Sequence, residues 1–413
     1  MHAISMSPVS LGRNERLKFT GLRILLLFAL LDGLSAWLLI LLYLTGIDLV
    51  WLVNVNFASM AALLMLFAFR NLRISYLILL FGAALFVSVV KIALYLDDTR
   101  EFEWIHFLTY AQGLLMPFAA LCFGSQFTKE DSVEILNILN RYARAFLWLA
   151  LPGILTYSVL YFLGRISYFG LGANLYYIYP FLAVKSPIFY SAFFVGVALI
   201  TGKRASVVTI LTQFFLLNCA VIRRQKILGT LVTVILIAIL FWVYQNTDVL
   251  SRFNWILEAE FDFTDPYFLS ISGGGRFEEI FGIYDYFQRH PFDVLFGSPP
   301  GSYYIWAIEW SDGYTATKNY AHLTWIGYVF RYGLIFTVLL VVYFASCIYK
   351  NLGSRDPLFI AFCWIFVVSF FGALLITDPT AWILIALFLR VSRNPQGGTL
   401  SKGLPAQRRQ LSI

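Results

Sequence analysis

The most pronounced shortage in this chain of 413 residues is charge, because Asp, Glu, Lys and Arg together make up only 13% of it. A soluble globular domain carries about 25% charged residues, since its surface has to stay in contact with water. Hydrophobic residues account for 60% of the chain, and its mean hydropathy is +0.76. This composition argues against an ordinary soluble enzyme and predicts an all-α, polytopic integral membrane protein.

Cysteine is scarce as well. The four cysteines lie in or beside apolar runs and none belongs to a CxxC pair, which argues against a disulfide framework and a zinc site. The net charge of +7 would suggest nucleic acid in a soluble protein. Here the basic residues occupy short segments between apolar runs, where they orient a chain in a membrane, so no nucleic-acid partner is expected.

Apolar runs close to the roughly 20 residues that a helix needs to cross a bilayer recur along the chain. We predict twelve spans, at 22–44, 50–69, 74–96, 104–124, 144–163, 171–184, 187–202, 204–222, 227–245, 323–346, 357–376 and 379–396. The segment 164–202 is compatible with two short crossings or with a re-entrant hairpin. The resulting organisation is a transmembrane bundle (1–245, spans 1–9), a large loop (246–321), spans 10–12 (322–396) and a tail (397–413).

Charge predicts the orientation. With twelve spans, the basic residues of both termini and of most short loops fall on one side, which the positive-inside rule makes cytoplasmic. The loop 246–321, in which acidic residues outnumber basic ones, falls on the opposite side.

The pattern of residues 132–139 predicts a short amphipathic helix on the cytoplasmic surface. Lys91, near the outer end of the third span, is expected to snorkel, and Asp378 is expected to cap a turn.

The segment 272–333 differs from the rest of the chain because it is polar, glycine-rich and aromatic. Arg276 follows three glycines and begins a predicted helix to Gln288, and such a turn lets the backbone approach an anion closely. His322 stands directly before the tenth span. Its imidazole is either a structural residue at the membrane interface or a base for a hydroxyl that reacts near the headgroups.

Most of the other candidate residues allow two interpretations. Arg204 begins the eighth span beside Gly202, where a guanidinium at a helix N-terminus suits a phosphate, although an arginine snorkelling to headgroups explains it equally well. Arg165 follows the fifth span on the same outer side. Aromatic residues of the loop form either a platform for stacking on sugars or an interfacial belt: Tyr303, Tyr304, Trp306, Trp310, Tyr314 and Tyr320.

The ordered set of segments resembles the O-antigen polymerase and O-antigen ligase superfamily of bacterial envelope polysaccharide assembly. The matching segments are G-R-I-S-Y-F-G-L-G-A-N at 164–174, L-I-T-G-K-R-A at 199–205, G-G-R-F at 274–277, H-P-F-D-V-L-F-G at 290–297, and A-H-L-T-W with F-R-Y-G-L within 321–334. Twelve spans with a large outer loop before the tenth also match the family. The resemblance covers about residues 144–346.

The resemblance implies a GT-C-like glycosyltransferase of the bacterial inner membrane that needs no metal or other cofactor. Such enzymes transfer a glycan from undecaprenyl diphosphate to an acceptor at the periplasmic face, with membrane lipid and a chain-length regulator as further partners. The family's diphosphate-binding arginines map onto Arg204, Arg276 and Arg165, and Lys203 adds a positive charge. The family's loop histidine maps onto His322, which together with Arg276 is the expected catalytic pair.

The type of transfer and the class of protein have alternatives. Ligases of this family follow the histidine with Asn, Ser or Gln, whereas Leu323 follows it here, which favours a polymerase over a ligase. A flippase for lipid-linked oligosaccharide is the main alternative of another class, and a non-catalytic scaffold is a second. A transporter is expected to carry charged or broken helices around the membrane midplane, whereas the polar residues of this chain concentrate in the outer loop.

Overall fold

The computed structural model describes residues 16–31, 60, 62–64, 66–67, 73–95, 103–163, 177–183, 187–200, 276–308, 314–319, 321–352, 354, 356–370 and 378–391. The helices are α1 (16–31), α2 (Tyr76–Tyr95), α3 (Trp104–Gly124), α4 (Ser132–Phe162), α5 (Tyr179–Ala183), α6 (Pro187–Ile200), α7 (Arg276–Arg289), α8 (Asp293–Phe296), α9 (Thr324–Lys350), α10 (Pro357–Val368) and α11 (Pro379–Val391). The strands β1 (Tyr304–Ile308) and β2 (Tyr314–Lys318) lie between α8 and α9.

Three helices of the described ranges are long and apolar enough to cross a membrane, and they match predicted spans 74–96, 104–124 and 323–346. They are Tyr76–Leu94 within α2, Trp104–Gly124 and Thr324–Lys350. Most described residues are helical, as expected for an all-α membrane protein. The predicted spans at 204–222 and 227–245 lie outside the described residues.

Two predictions of local structure differ from the structure. The chain is not purely helical, because β1 and β2 form an antiparallel hairpin in the large loop. Aromatic and β-branched side chains favour strands, and this preference is realised at Y-I-W-A-I and Y-T-A-T-K. The amphipathic stretch 132–139 is not a separate helix either. It forms the first turns of the 31-residue helix α4, since no helix-breaking residue separates it from the apolar run that follows.

The bundle core is dominated by aromatic and aliphatic side chains, and its closest helix pair is α3 with α11. A Cβ added to Gly124 would lie 2.5 Å from the Ala386 Cβ, so two small residues allow the helices to approach. Trp382 of α11 is fully buried and meets Phe81 of α2 edge to face at 5.1 Å between ring centroids. Asp378 accepts hydrogen bonds from the first backbone N–H groups of α11, which confirms its predicted role as a cap.

Contacts at the two ends of α3 show how the described helices are arranged. Beyond its C-terminal end, Ser125 accepts a hydrogen bond from the backbone N–H of Arg73, whose carbonyl accepts one from Arg390. At its N-terminal end, the N–H of Glu103 donates to the carbonyl of Gly301 in the loop. A helix of this length spans about 30 Å, close to the hydrocarbon thickness. Arg73 and Arg390 therefore lie at one end of the bundle and the loop domain lies at the other.

Two glycines join the loop domain to the bundle. The helix α9 is broken at Gly333 (φ 88°, ψ 166°), and Gly297 has a similar conformation (φ 87°). A Cβ at Gly297 would lie 2.2 Å from the carbonyl oxygen of Arg331, and one at Gly333 would lie 2.2 Å from that of Leu295. Both positions thus need a residue that tolerates positive φ and leaves room for a backbone.

Replacing Gly333 tests this junction. We expect Gly333→Ala to lower the melting temperature of the purified protein in detergent. Alanine costs about 1–3 kcal/mol in this backbone region, which is essentially restricted to glycine, and its methyl group would also collide with a carbonyl oxygen. Gly196→Ala is the matched control, since Gly196 lies in α6 with no atom within 4 Å of the added Cβ. Helix propensity favours that change by up to about 1 kcal/mol. Equal melting temperatures for the two variants would contradict the proposed close approach.

Candidate functional site

The loop domain is built around one face of α7. Its buried side chains are Glu279, Ile283 and Tyr286, whose spacing of four and three residues places them on one stripe of the helix. Ile283 and Tyr286 pack with Tyr304 of β1 and Phe330 of α9 in a small hydrophobic cluster. The first turns of α9 therefore contribute to the core of the loop domain as well as to the bundle.

The hairpin covers the same face of α7. Its register pairs Tyr304 with Lys318 and Trp306 with Ala316, so these four side chains share one face of the hairpin. Lys318 lies diagonal to Trp306, and its Nζ sits 3.2 Å from the centroid of the indole ring. Gly282 admits the strand, because a Cβ there would lie 2.4 Å from the carbonyl oxygen of Ile305. The hairpin thereby delivers an ammonium group to the buried face of α7.

Glu279 is the centre of the site. It is 0% exposed, and its carboxylate has three donors around it. Oε1 accepts from Lys318 Nζ at 2.9 Å and lies 2.5 Å from His322 Nδ1, while Oε2 accepts from the backbone N–H of His322 at 2.7 Å. Burial by itself raises the pKa of Glu279, but the hydrogen bonds and charge of His322 and the hydrogen bond from Lys318 outweigh it and hold the pKa below its usual range. The group is therefore a carboxylate at neutral pH.

His322 is oriented by this carboxylate. Its side chain is 48% exposed, whereas the Glu279 side chain beneath it is inaccessible. When Nδ1–H donates to a carboxylate, the lone pair of the neutral imidazole is on Nε2. A carboxylate that orients a histidine in this way is the arrangement by which proteins present a general base. The geometry thus equips His322 to accept a proton at Nε2.

Arg276 lies one helical turn before Glu279. It is the first residue of α7, as predicted, and is exposed. Residues three apart on a helix are neighbours on its surface, with about 5–6 Å between their Cβ atoms. The predicted anion ligand Arg276 and the predicted base His322 are consequently brought to the same part of the loop domain, joined through Glu279.

A second buried polar network connects the site to helix α3 of the bundle. Arg331 is fully buried, and its guanidinium donates to the carbonyl oxygen of Asn319 at 2.7 Å, to the Oδ1 of Asn319 at 3.0 Å and to the carbonyl oxygen of Thr109 at 3.1 Å. Asn319 also donates to the carbonyl of His106 in α3. Asn319 directly follows Lys318, so this network fixes the end of β2 against the bundle.

The remaining predicted site residues are placed as follows. Tyr304 is 1% exposed and meets Phe330 edge to face at 5.2 Å, so it is a core residue and cannot stack on a sugar. Trp306 is half-buried under Lys318, and Tyr303 is half-buried with its ring 5.4 Å from that of His106. Outside the described residues lie Arg165, Lys203, Arg204, Trp310 and Tyr320.

Sequence reasoning missed Glu279 and Lys318. The signal for Glu279 was present, because its spacing from Ile283 and Tyr286 puts a carboxylate on an otherwise apolar helical stripe. Such a residue needs a buried donor. The signal for Lys318 depended on recognising β2 and its pairing with β1, which no local pattern specifies.

The chain matches no protein-family model, no curated protein and no solved structure. Any functional assignment therefore rests on the motifs and on the geometry of these residues.

The buried carboxylate makes a testable contribution to stability. Removing one member of a buried ion pair costs about 3–5 kcal/mol, so we expect Glu279→Gln to weaken the hydrogen-exchange protection of α7 and the hairpin about a hundredfold or more at neutral pH. Asp285→Asn is the control, because Asp285 lies on the same helix and forms only an exposed pair with Arg289. Protection of the Glu279 variant equal to that of the control would contradict the central role of this carboxylate.

The pH dependence has a definite sign. Because folding lowers the pKa of Glu279, its contribution is complete above the ordinary glutamate value of 4.5 and disappears as the pH falls through the lower pKa of the folded state. Wild-type protein should therefore lose protection of α7 on acidification below pH 4.5, and the Glu279→Gln variant should show a flatter profile. Parallel profiles for the two proteins would contradict a lowered pKa.

Proposed function

We propose that the protein is a membrane glycosyltransferase, a polymerase that joins oligosaccharide repeat units carried on undecaprenyl diphosphate into a longer surface polysaccharide. The substrate class comes from the motif resemblance. The single observation that supports catalysis is the pairing of the exposed His322 with the buried carboxylate of Glu279 on a polar domain at one end of an apolar bundle. The buried carboxylate orients the imidazole and leaves it exposed, which is the arrangement that a general base requires.

The proposed reaction is a direct displacement at the anomeric carbon of the donor glycan. The acceptor sugar hydroxyl gives its proton to Nε2 of His322 while its oxygen forms a bond to the anomeric carbon of the donor glycan. The bond between that carbon and the diphosphate oxygen breaks, and the electron pair leaves with the lipid diphosphate. Glu279 stabilises the imidazolium that forms, since its carboxylate lies 2.5 Å from Nδ1.

The leaving diphosphate needs positive charge. Arg276 is exposed at the first turn of α7, where the backbone N–H groups have no partner within the helix and, with the helix dipole, also favour an anion. A guanidinium forms bidentate hydrogen bonds to phosphate oxygens and keeps its charge at any physiological pH. Arg204, Arg165 and Lys203 complete the proposed diphosphate site.

A polymerase is favoured over a ligase by the residue after the histidine. In the ligase pattern this residue is polar, whereas here it is Leu323, which occupies the N-cap of α9 and contributes no capping hydrogen bond from its side chain. A polar residue would be preferred at that position on grounds of helix stability alone. An apolar residue at this position is consistent with an acceptor that differs from that of a ligase.

The proposed topology has twelve spans in the bacterial inner membrane, with the loop domain in the periplasm. Support comes from the separation of Arg73 and Arg390 at one end of the bundle from the Glu279–His322 pair at the other. The positive-inside rule makes the basic end cytoplasmic. Undecaprenyl-linked repeat units presented in the periplasmic leaflet would then meet the site at the level of their diphosphate.

The direct test supplies purified protein in proteoliposomes with an undecaprenyl-diphosphate-linked repeat unit. We expect a ladder of longer lipid-linked glycans. His322→Gln should slow ladder formation about 10²–10⁴-fold, the usual contribution of a general base. Arg276→Ala should slow it about 10²–10³-fold, as loss of one charge-stabilising donor does. Arg289→Ala is the matched control at the far end of the same helix and should retain the wild-type rate.

Each alternative has its own outcome in this assay. Wild-type activity of both His322→Gln and Arg276→Ala would reject the site. Transfer of glycan only when a lipid A core acceptor is added would identify a ligase. Movement of the lipid-linked unit across the vesicle membrane without elongation would identify a flippase and reject the polymerase.

A further inference from the structure

The segment Pro291–Gly297, which links α7 to the hairpin, carries large apolar side chains on its surface. Phe292 is 78% exposed and Phe296 is 50% exposed, and Leu295 between them is also exposed. The polar side chain of the segment is turned inward, because Asp293 is buried and accepts a hydrogen bond from Tyr286 at 2.9 Å. In contact with water, the polar side chain would be expected at the surface and the large apolar side chains in the interior.

The depth of the segment relative to the bundle follows from its contacts. Gly297 packs against the backbone of Arg331 and Tyr332, and these residues in turn donate hydrogen bonds to the carbonyls of Thr109 and Tyr110 in α3. Thr109 and Tyr110 are the sixth and seventh residues of α3. At 1.5 Å per residue they lie roughly 8–9 Å inside that predicted span. The segment therefore reaches below the ends of the spanning helices.

Several backbone groups of the segment are paired with protein groups. The Nζ of Lys91 lies 2.5 Å from the carbonyl oxygens of both Phe296 and Gly297 and 3.5 Å from that of Ser298. The N–H of Gly297 donates to Asp293 and that of Ser298 donates to Phe330. Lys91 is thus buried and does not snorkel to water as the sequence suggested. Non-helical backbone is tolerated at membrane depth only when its polar groups are paired in this way.

Beside the segment lies an apolar cavity of about 220 Å³ between α2 and α9. Leu295 and Phe296 form part of its wall together with Leu80 of α2 and Leu339 of α9, both of which belong to candidate spans. Leu80 lies three turns from Lys91, towards the opposite end of α2. The rise along the helix between these two residues is about 16 Å. The apolar side chains of the segment are therefore continuous with the apolar surfaces of two candidate membrane spans.

We propose that Pro291–Gly297 is a re-entrant wedge whose Phe292, Leu295 and Phe296 side chains contact the lipid acyl chains of the leaflet on the loop-domain side. Lys91 holds the wedge at this depth, because its ammonium group donates hydrogen bonds to the carbonyl oxygens of Phe296 and Gly297. The wedge anchors the end of α7, so the Glu279–His322 pair is fixed in height above the hydrocarbon. This inference concerns the position of the chain in the bilayer and holds whether or not the protein is a glycosyltransferase.

Collision measurements on spin labels test the wedge. Phe292→Cys and Phe296→Cys, each in a background whose four native cysteines are replaced by alanine, are labelled with a nitroxide and reconstituted into liposomes. Both labels should show high accessibility to oxygen and low accessibility to a water-soluble nickel chelate, like a label at Phe86, which is exposed on α2. Asp285→Cys, 66% exposed on α7, is the aqueous control. Labels at 292 and 296 that behave like the one at 285 overturn the proposal.

A second measurement leaves the native cysteines in place. Benzoyl-phenylalanine at position 292 should form photo-adducts with liposome phospholipids, and the same residue at position 285 should not. Lys91→Met leaves the carbonyls without their ammonium, so the label at 296 should shift towards the aqueous control. The absence of lipid adducts at position 292 as well as at 285 counts against the wedge. An unchanged label at 296 in the Lys91→Met variant counts against anchoring by Lys91. The glycan ladder reports separately on the proposed enzyme activity.

Discussion

The structure of the loop domain depends on one buried carboxylate. Isolated in an apolar core, an ionised glutamate would cost many kcal/mol, so the fold has to supply donors from several parts of the chain. Glu279 receives them from the hairpin through Lys318 and from the linker into α9 through the backbone and ring of His322. A helix, a strand and the entry to a candidate membrane span are thereby held in one arrangement, and the exposed imidazole is a consequence of it.

A second constraint joins this domain to the bundle. Gly297 and Gly333 bring the backbone of the α8 segment against the break in α9, and the buried Arg331 ties the same region to α3 through carbonyl oxygens. Positive φ at both glycines leaves no tolerance for a side chain. The polar site and the apolar scaffold are therefore joined by closely packed backbone. The proposed glycosyl transfer would need such a connection, because it has to hold the site at a constant position relative to the bundle.

Much of the architecture was predictable from particular residues. The predicted span 104–124 coincides with α3, and the helix predicted from Arg276 to Gln288 ends only one residue later in the structure. These elements are specified locally, by apolar length in one and by a glycine run before an amphipathic pattern in the other. The hairpin was missed because strand pairing is a non-local property. The sequence left Tyr304 open between a stacking platform and an interfacial belt, and the structure places it in the core, because an aromatic residue has the same sequence signal in each position.

The amino-acid pattern was sufficient to predict an apolar, mostly helical membrane protein, the three candidate spans that the structure contains, and a polar loop with the candidate residues Arg276 and His322. The contacts between Glu279, Lys318 and His322, the inward position of Lys91 and the exposure of Phe292 came from the folded chain alone. The reason is physical. Hydropathy is a sum over neighbouring residues, whereas the partners of a buried charge are brought together across long stretches of chain by the packing of the whole fold.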